Sequence, residues 1–368
     1  MRASGTVAAA LALARDLPDG PRRLFELAAV AALADAARAP GLGLAARLDL
    51  LETALRLGEG PRTPALLRWC LTTVERRPGL LTGEDDERLR IAQEQAVAAT
   101  LDTPRLDLAD AATLVDDLSR WLRSRGRPPG RAYRLRARLA DHVGDAAAAR
   151  SWLARARAEG DDGCPACVAV TGAELLGGWG DWSGALRGLA PALVAGSPCT
   201  AAPERGLAAA LLPYLGAGQP EAAARAHGRA WRRHRRERAA SRTVATHLRF
   251  LALTGRYRQG FAALAARLPG PDEPGSELAV MELAAAGALL CRRAATDPLA
   301  EVSVPERLAE PDLAVLGGRL RDRAYGLAER FDARNGTRHQ SDRMADWLAE
   351  ALPGRRLGPP AAGPAGAD

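Results

Sequence analysis

The side chains with the plainest capacity for chemistry stand in Gly163-Cys164-Pro165-Ala166-Cys167, where two thiols lie three positions apart. A Cys-x-x-Cys is half of a thiolate metal site, a dithiol redox pair, or two small residues that happen to be close. Cys164 falls where a helix N-cap belongs, and Pro165 takes the first helical position that proline prefers. Cys167 is then in the first turn, where the helix N-terminus and nearby arginines favour a thiolate. On that ground Cys167 and Cys164 are possible reactive thiols, Cys167 the foremost. Zinc needs two further ligands, and only Cys199, at the start of a later helix, is placed to join. Three cysteines do not close a zinc set, so no metal is assigned. A thioredoxin-like pair needs a strand before its helix, which this composition denies. Structural cysteines in place of Ala or Ser remain the alternative.

Other chemistries are excluded more firmly. All 51 basic residues are arginine, because the chain has no lysine. Phosphate-cradling P-loop lysines, kinase strand lysines and Schiff-base nucleophiles are therefore out. No His-Glu-x-x-His, Gly-x-Ser-x-Gly or carboxylate-rich calcium loop occurs. Gly41 to Ala46, "GLGLAA", matches a dinucleotide-loop pattern, yet no strand precedes it and it opens an ordinary helix. The five histidines show no ligand spacing. His227 reads as a packed core residue and His142 as a solvated one before a turn. No enzyme activity and no cofactor is expected.

The elements that position these residues are helices. Aromatics make up 4% of the chain and Ile occurs once, while Ala, Leu, Arg and Glu are strong helix formers. Helical periodicity predicts helices over Val7–Arg15, Arg22–Arg38, Leu44–Arg56, Pro64–Arg76, Asp85–Ala99 and Leu108–Arg123. Near the C-terminus it predicts Ser276–Arg293, Glu310–Phe331 and Ser341–Leu352. The apolar run Thr6–Ala14 could pass for a short signal segment, but it continues into an amphipathic helical pattern. No stretch reaches the roughly 18 apolar residues of a membrane span. Five cysteines, an odd number at irregular spacing, suit a reducing cytoplasm better than a disulfide framework.

Between these outer helices one pattern recurs four times: a helical run, a glycine, and a second run. The glycines are Gly144, Gly180, Gly218 and Gly255, which are 36, 38 and 37 residues apart. Five residues after each stands a small residue, Ala149, Ala185, Ala223 and Gly260. Nine after each stand Leu153, Leu189, His227 and Leu264. Small residues let paired helices approach, and large ones fill the seam to the next pair. With Tyr133, Trp182, Tyr214 and Tyr257 in addition, the pattern over Arg131 to Pro269 resembles the tetratricopeptide repeat family, built from helix-turn-helix units of about 34 residues. The resemblance implies an all-α helical-hairpin solenoid, a right-handed superhelix. The chain divides into degenerate N-terminal hairpins at 1–128, four repeats at 129–270, a helical cap at 271–353 and a Pro/Gly/Ala-rich tail at 354–368, expected to be disordered. Leu268 to Glu277 is the best internal linker.

In such an array the first helix of each pair lines a groove. Thirteen residues before each glycine come Arg131, Cys167, Arg205 and Arg242, and six before come Arg138, Glu174, Leu212 and Arg249. Arg134 joins Arg131 and Arg138 in a ladder. Guanidinium forks bind carboxylates bidentately, so the implied function is a non-catalytic scaffold holding an acidic segment or C-terminal carboxylate of a partner protein. A regulator that senses a peptide or small signalling molecule is the alternative. The net charge of +7 permits such a partner. In the densest basic run, Arg229 to Arg242, Arg229, Arg232, Arg233 and Arg236 are read as covering more than one side of a helix. With Trp231 they could contact phosphates, but nucleic acid is not the favoured partner. A homodimer is open, since solenoid ends need covering.

Overall fold

A computed structural model describes residues 2–57, 59, 63–193, 199, 202–236, 242–269, 276–300 and 302–349. Among them the chain is all-α, with no strand. The 354–368 tail and most of the linker at Leu268–Glu277 lie outside the described residues. Two compact units are formed, Met1–His142 with Ala147–Gly160, and Val143–Ala146 with Asp161–Asp368.

The first unit carries α1 (Arg2–Arg15), α2 (Pro21–Ala36), α3 (Pro40–Arg56), α4 (Thr63–Arg76), α5 (Gly83–Asp102) and α6 (Leu108–Ser124), with the bodies of α7 (Gly130–Val143) and α8 (Ala146–Glu159). Proline at the first turn starts α2 and α3. Thr82 and Asp107 start α5 and α6 by accepting from the backbone N–H of Asp85 and Ala109. The run Thr6–Ala14 belongs to α1, whose Val7, Leu11 and Ala14 pack with Leu24, Leu27, Val30 and Ala46. A second core joins Leu48 and Leu51 of α3 to Leu67, Leu89, Leu118 and Leu135 of α4 to α7. Gly41 to Ala46 lies wholly within α3, so the dinucleotide-loop pattern is simply helix.

The second unit carries α9 (Pro165–Gly178), α10 (Trp182–Gly188), α11 (Ala190–Leu193), α12 (Ala202–Ala209), α13 (Leu211–Gly216), α14 (Pro220–His234), α15 (Arg242–Leu253), α16 (Tyr257–Arg267), α17 (Glu277–Thr296), α18 (Leu313–Asn335) and α19 (His339–Ala349). Helix pairs follow in series, each packed on the next. Helix α9 meets α10, α11 and α12; α12 and α13 meet α14 and α15; α15 meets α16 and α17. Gly336, at φ +67°, closes α18 at the Asn335-Gly336 turn.

The four repeated glycines all lie in left-handed backbone, at φ +87°, +78°, +71° and +73°, where an L side chain is strained. The offsets counted from them are buried throughout. Ala149, Ala185 and Ala223 are fully enclosed, as are the seam residues Leu189 and Leu264, with Leu153 and His227 nearly so. Gly260 replaces alanine because a Cβ there would stand 2.6 Å from Leu290 Cδ1 of α17. From Leu278 to Cys291 helix α17 has no solvent face: every residue there is buried, under α15, α16, α18 and α19.

Candidate functional site

The arginines expected to line a groove have partners inside their own units. In the first unit Arg131 and Arg134 are buried. Arg131 Nη1 lies 2.9 Å from Glu94 Oε1 and Arg134 Nη1 lies 3.7 Å from Glu94 Oε2. Arg138, further along α7, is half-buried. In the second unit Arg205 on α12 faces Glu174 on α9 at 3.5 Å, which joins the two expected rows across neighbouring helix pairs. Arg242 Nε donates to Glu282 of α17 at 3.0 Å, and Arg343 Nη1 donates to the same carboxylate at 2.8 Å. Burial raises the Glu282 carboxyl, but the two guanidiniums outweigh it and hold it below the usual carboxylate range. Arg249 lies 3.8 Å from the centre of the Trp347 ring. These side chains fasten helix to helix.

Helix α14 presents a different arrangement. Ala223, Ala226, His227, Ala230 and His234 form its buried stripe. Arg229, Arg232, Arg233 and Arg236 are exposed. Arg229, Arg232 and Arg233 stand at i, i+3 and i+4 on α14, so they share one face, and with Arg236, in the turn after the helix, they line one open recess of about 500 Å³ together with Glu204 of α12. This corrects the reading that they cover more than one side. Glu204 reaches Arg233 at 3.9 Å. Arg229, Arg232 and Arg236 make no ion pair among the described residues. Trp231 turns inward, stacked on His227 and edge-on to His247.

Behind that face three histidines form a buried chain that the sequence did not suggest. His247 of α15 is fully enclosed; its Nδ1 lies 2.9 Å from His227 Nδ1 and its Nε2 lies 2.9 Å from His234 Nδ1. Burial first, and then the charge of Arg256, lowers His227 to about 4. Burial, with His227 and His234 alongside, holds His247 well below the usual range. The i, i+7 spacing of His227 and His234 was the available signal, but their partner comes from another helix. His142 is buried, not solvated as its position before a turn suggests.

The cysteines converge. Cys164 is the N-cap of α9 with Pro165 at the first helical position. Cys164 is exposed, and Cys167 and Cys199 are half-buried. The Cys167 and Cys199 sulfurs are 3.5 Å apart, and all three sulfurs lie within 4.8 Å of one another. Burial, then hydrogen bonding with Cys199 and Cys164, pushes the Cys167 thiol up to about 12. At neutral pH it is therefore a protonated thiol, the reverse of the reactive thiolate expected at a helix N-terminus. Cys70 and Cys291 are buried in the two units' cores.

Compared with protein-family models, curated proteins and solved structures, the chain matches none. No described helix is long and apolar enough to cross a membrane.

Proposed function

We propose that this chain is a non-catalytic binding protein, a tetratricopeptide-like array of helical hairpins whose second unit holds an acidic segment of a partner protein on the arginine face of α14. One observation carries the reading: three exposed arginines, Arg229 and Arg232 on α14 and Arg236 in the turn that follows it, with no carboxylate partner among the described residues, around a recess with a single acid. Like charges at that spacing repel one another, and a row of carboxylates relieves the repulsion while matching the guanidinium forks. The arginines at groove offsets contribute less, because they already serve Glu94, Glu174 and Glu282. An acidic protein segment is favoured over nucleic acid because Trp231, the aromatic within the run, is half-buried with its ring against His227 and His247, which leaves bases little stacking surface.

The test is titration of a glutamate-rich peptide into the full chain, followed by fluorescence anisotropy. Arg229→Glu/Arg232→Glu/Arg236→Glu is expected to weaken binding by up to about 100-fold, from three exposed pairs at up to about 1 kcal/mol each. The control is Arg321→Glu on α18, an exposed arginine paired with its neighbour Asp322. Equal affinity of the triple variant, or tighter binding of a nucleic acid of equal charge, would refute the reading.

A further inference from the structure

We propose that Cys164, Cys167 and Cys199 form a three-thiolate site for a zinc-class cation, with water in the fourth coordination position. The first support is convergence. Three of the five cysteines, two on α9 and one 32 residues further on, bring their sulfurs within 4.8 Å of one another. Cysteines serving only as small apolar filler have no reason to gather. Cys70 and Cys291 show that role, each buried with core side chains around it.

The second support is the match to coordination geometry. Zinc–sulfur bonds of about 2.3 Å at tetrahedral angles place two sulfurs about 3.8 Å apart. The Cys167–Cys199 separation of 3.5 Å is close to that, and far from the roughly 2.05 Å of a disulfide. The spacing Cys-x-x-Cys with both thiols at a helix start suits two adjacent ligands of one ion.

The third support is access with backing. Cys167 and Cys199 rest against the apolar cluster of Ala166, Val170, Ala192 and Ala210, while Cys164 is exposed at the rim. An ion can thus enter from solvent and be held against a dry wall. No fourth ligating side chain joins the group among the described residues. Around Cys199, residues 194–198 and 200–201 contain no Cys, His, Asp or Glu. Three protein ligands and a water are the donor set of open zinc sites. Soft thiolates also exclude calcium and magnesium. The ion would tie the start of α9 to the segment that leads into α12.

The experiment uses the full chain, reduced, stripped of metal by a chelator and titrated with cobalt(II) and then zinc(II). The expected result is one cobalt per chain, with thiolate-to-cobalt charge-transfer absorption and the intense visible bands of a four-coordinate ion, all abolished by one equivalent of zinc. Cys164→Ser, Cys167→Ser and Cys199→Ser, near-isosteric and checked for helicity by circular dichroism, are each expected to weaken zinc binding by more than the roughly 10–100-fold that an outer-shell partner is worth. Cys70→Ala serves as the control with unchanged affinity. Absence of stoichiometric cobalt bands, or bands that survive in the triple serine variant, overturns the proposal. So does a Cys167–Cys199 disulfide found by mass spectrometry in place of bound metal. Peptide binding on α14 is read separately and neither result decides the other.

Discussion

A carboxylate as deeply enclosed as Glu282 is tolerable only while its cations are present. Arg343→Met is therefore expected to destabilise the chain by about 3 kcal/mol in urea unfolding, because it leaves a buried charge with less compensation. Adding Glu282→Leu should recover a good part of that loss. Gln93, 1% exposed on α5, has neither amide atom hydrogen-bonded among the described residues. Replacing it with leucine should stabilise by about 1 kcal/mol, and a lower melting temperature would count against this. His227 is neutral when folded and has an ordinary value near 6.5 when unfolded. Protons therefore bind the unfolded chain first as pH falls. Its contribution is intact above pH 6.5 and is lost between there and about 4, at about 1.4 kcal/mol per pH unit. Denaturant midpoints at pH 7.5 and 5 should differ accordingly, and His227→Leu should flatten the difference. At this scale the sequence told some interior positions, as for His227 in a seam, and missed others, as for His142, Arg131 and Arg134. It did not tell that His227 and His234 meet His247, because that partner comes from another helix, whereas Cys199 was named in advance as the cysteine placed to join Cys164 and Cys167.

Helices were legible almost to their ends because the signals that start and stop them are local. Proline or an acidic or hydroxyl side chain begins α2, α5, α9 and α18. The glycine register was legible too, since positive φ and close approach both demand small residues. It supports two expectations of different size. Gly255→Ala should cost about 1 kcal/mol through backbone strain alone. Gly260→Ala, with its Cβ driven against Leu290, should cost about 1–3 kcal/mol through overpacking. Equal effects of the two in thermal unfolding would show that contact with α17 does not set the identity of that residue. The shared face of Arg229, Arg232 and Arg233 on α14 was misread, since a dense arginine run was taken to cover more than one side although i, i+3 and i+4 define one face. What spacing alone could not reveal is that the groove offsets carry arginines already committed to Glu94, Glu174 and Glu282.

Taken whole, the chain carries an excess of 7 positive charges, all of its basic residues being arginine. Buried or half-buried arginines such as Arg88, Arg131 and Arg134 are held in internal ion pairs, while Arg229, Arg232, Arg233 and Arg236 stand exposed around one recess. Binding of an acidic partner should therefore fade steeply with salt and be nearly lost near 1 M, where charges are screened beyond about 3 Å. An affinity indifferent to salt would point to apolar docking. The enclosure of α17 reaches further, into how the protein is made. This helix leaves the ribosome before α18 and α19, its principal cover, have been synthesised. At about 5–20 residues per second, it waits roughly 3–10 s with a greasy flank open to solvent. The nascent chain thus carries this open apolar surface for one definable interval, which ends when α19 emerges.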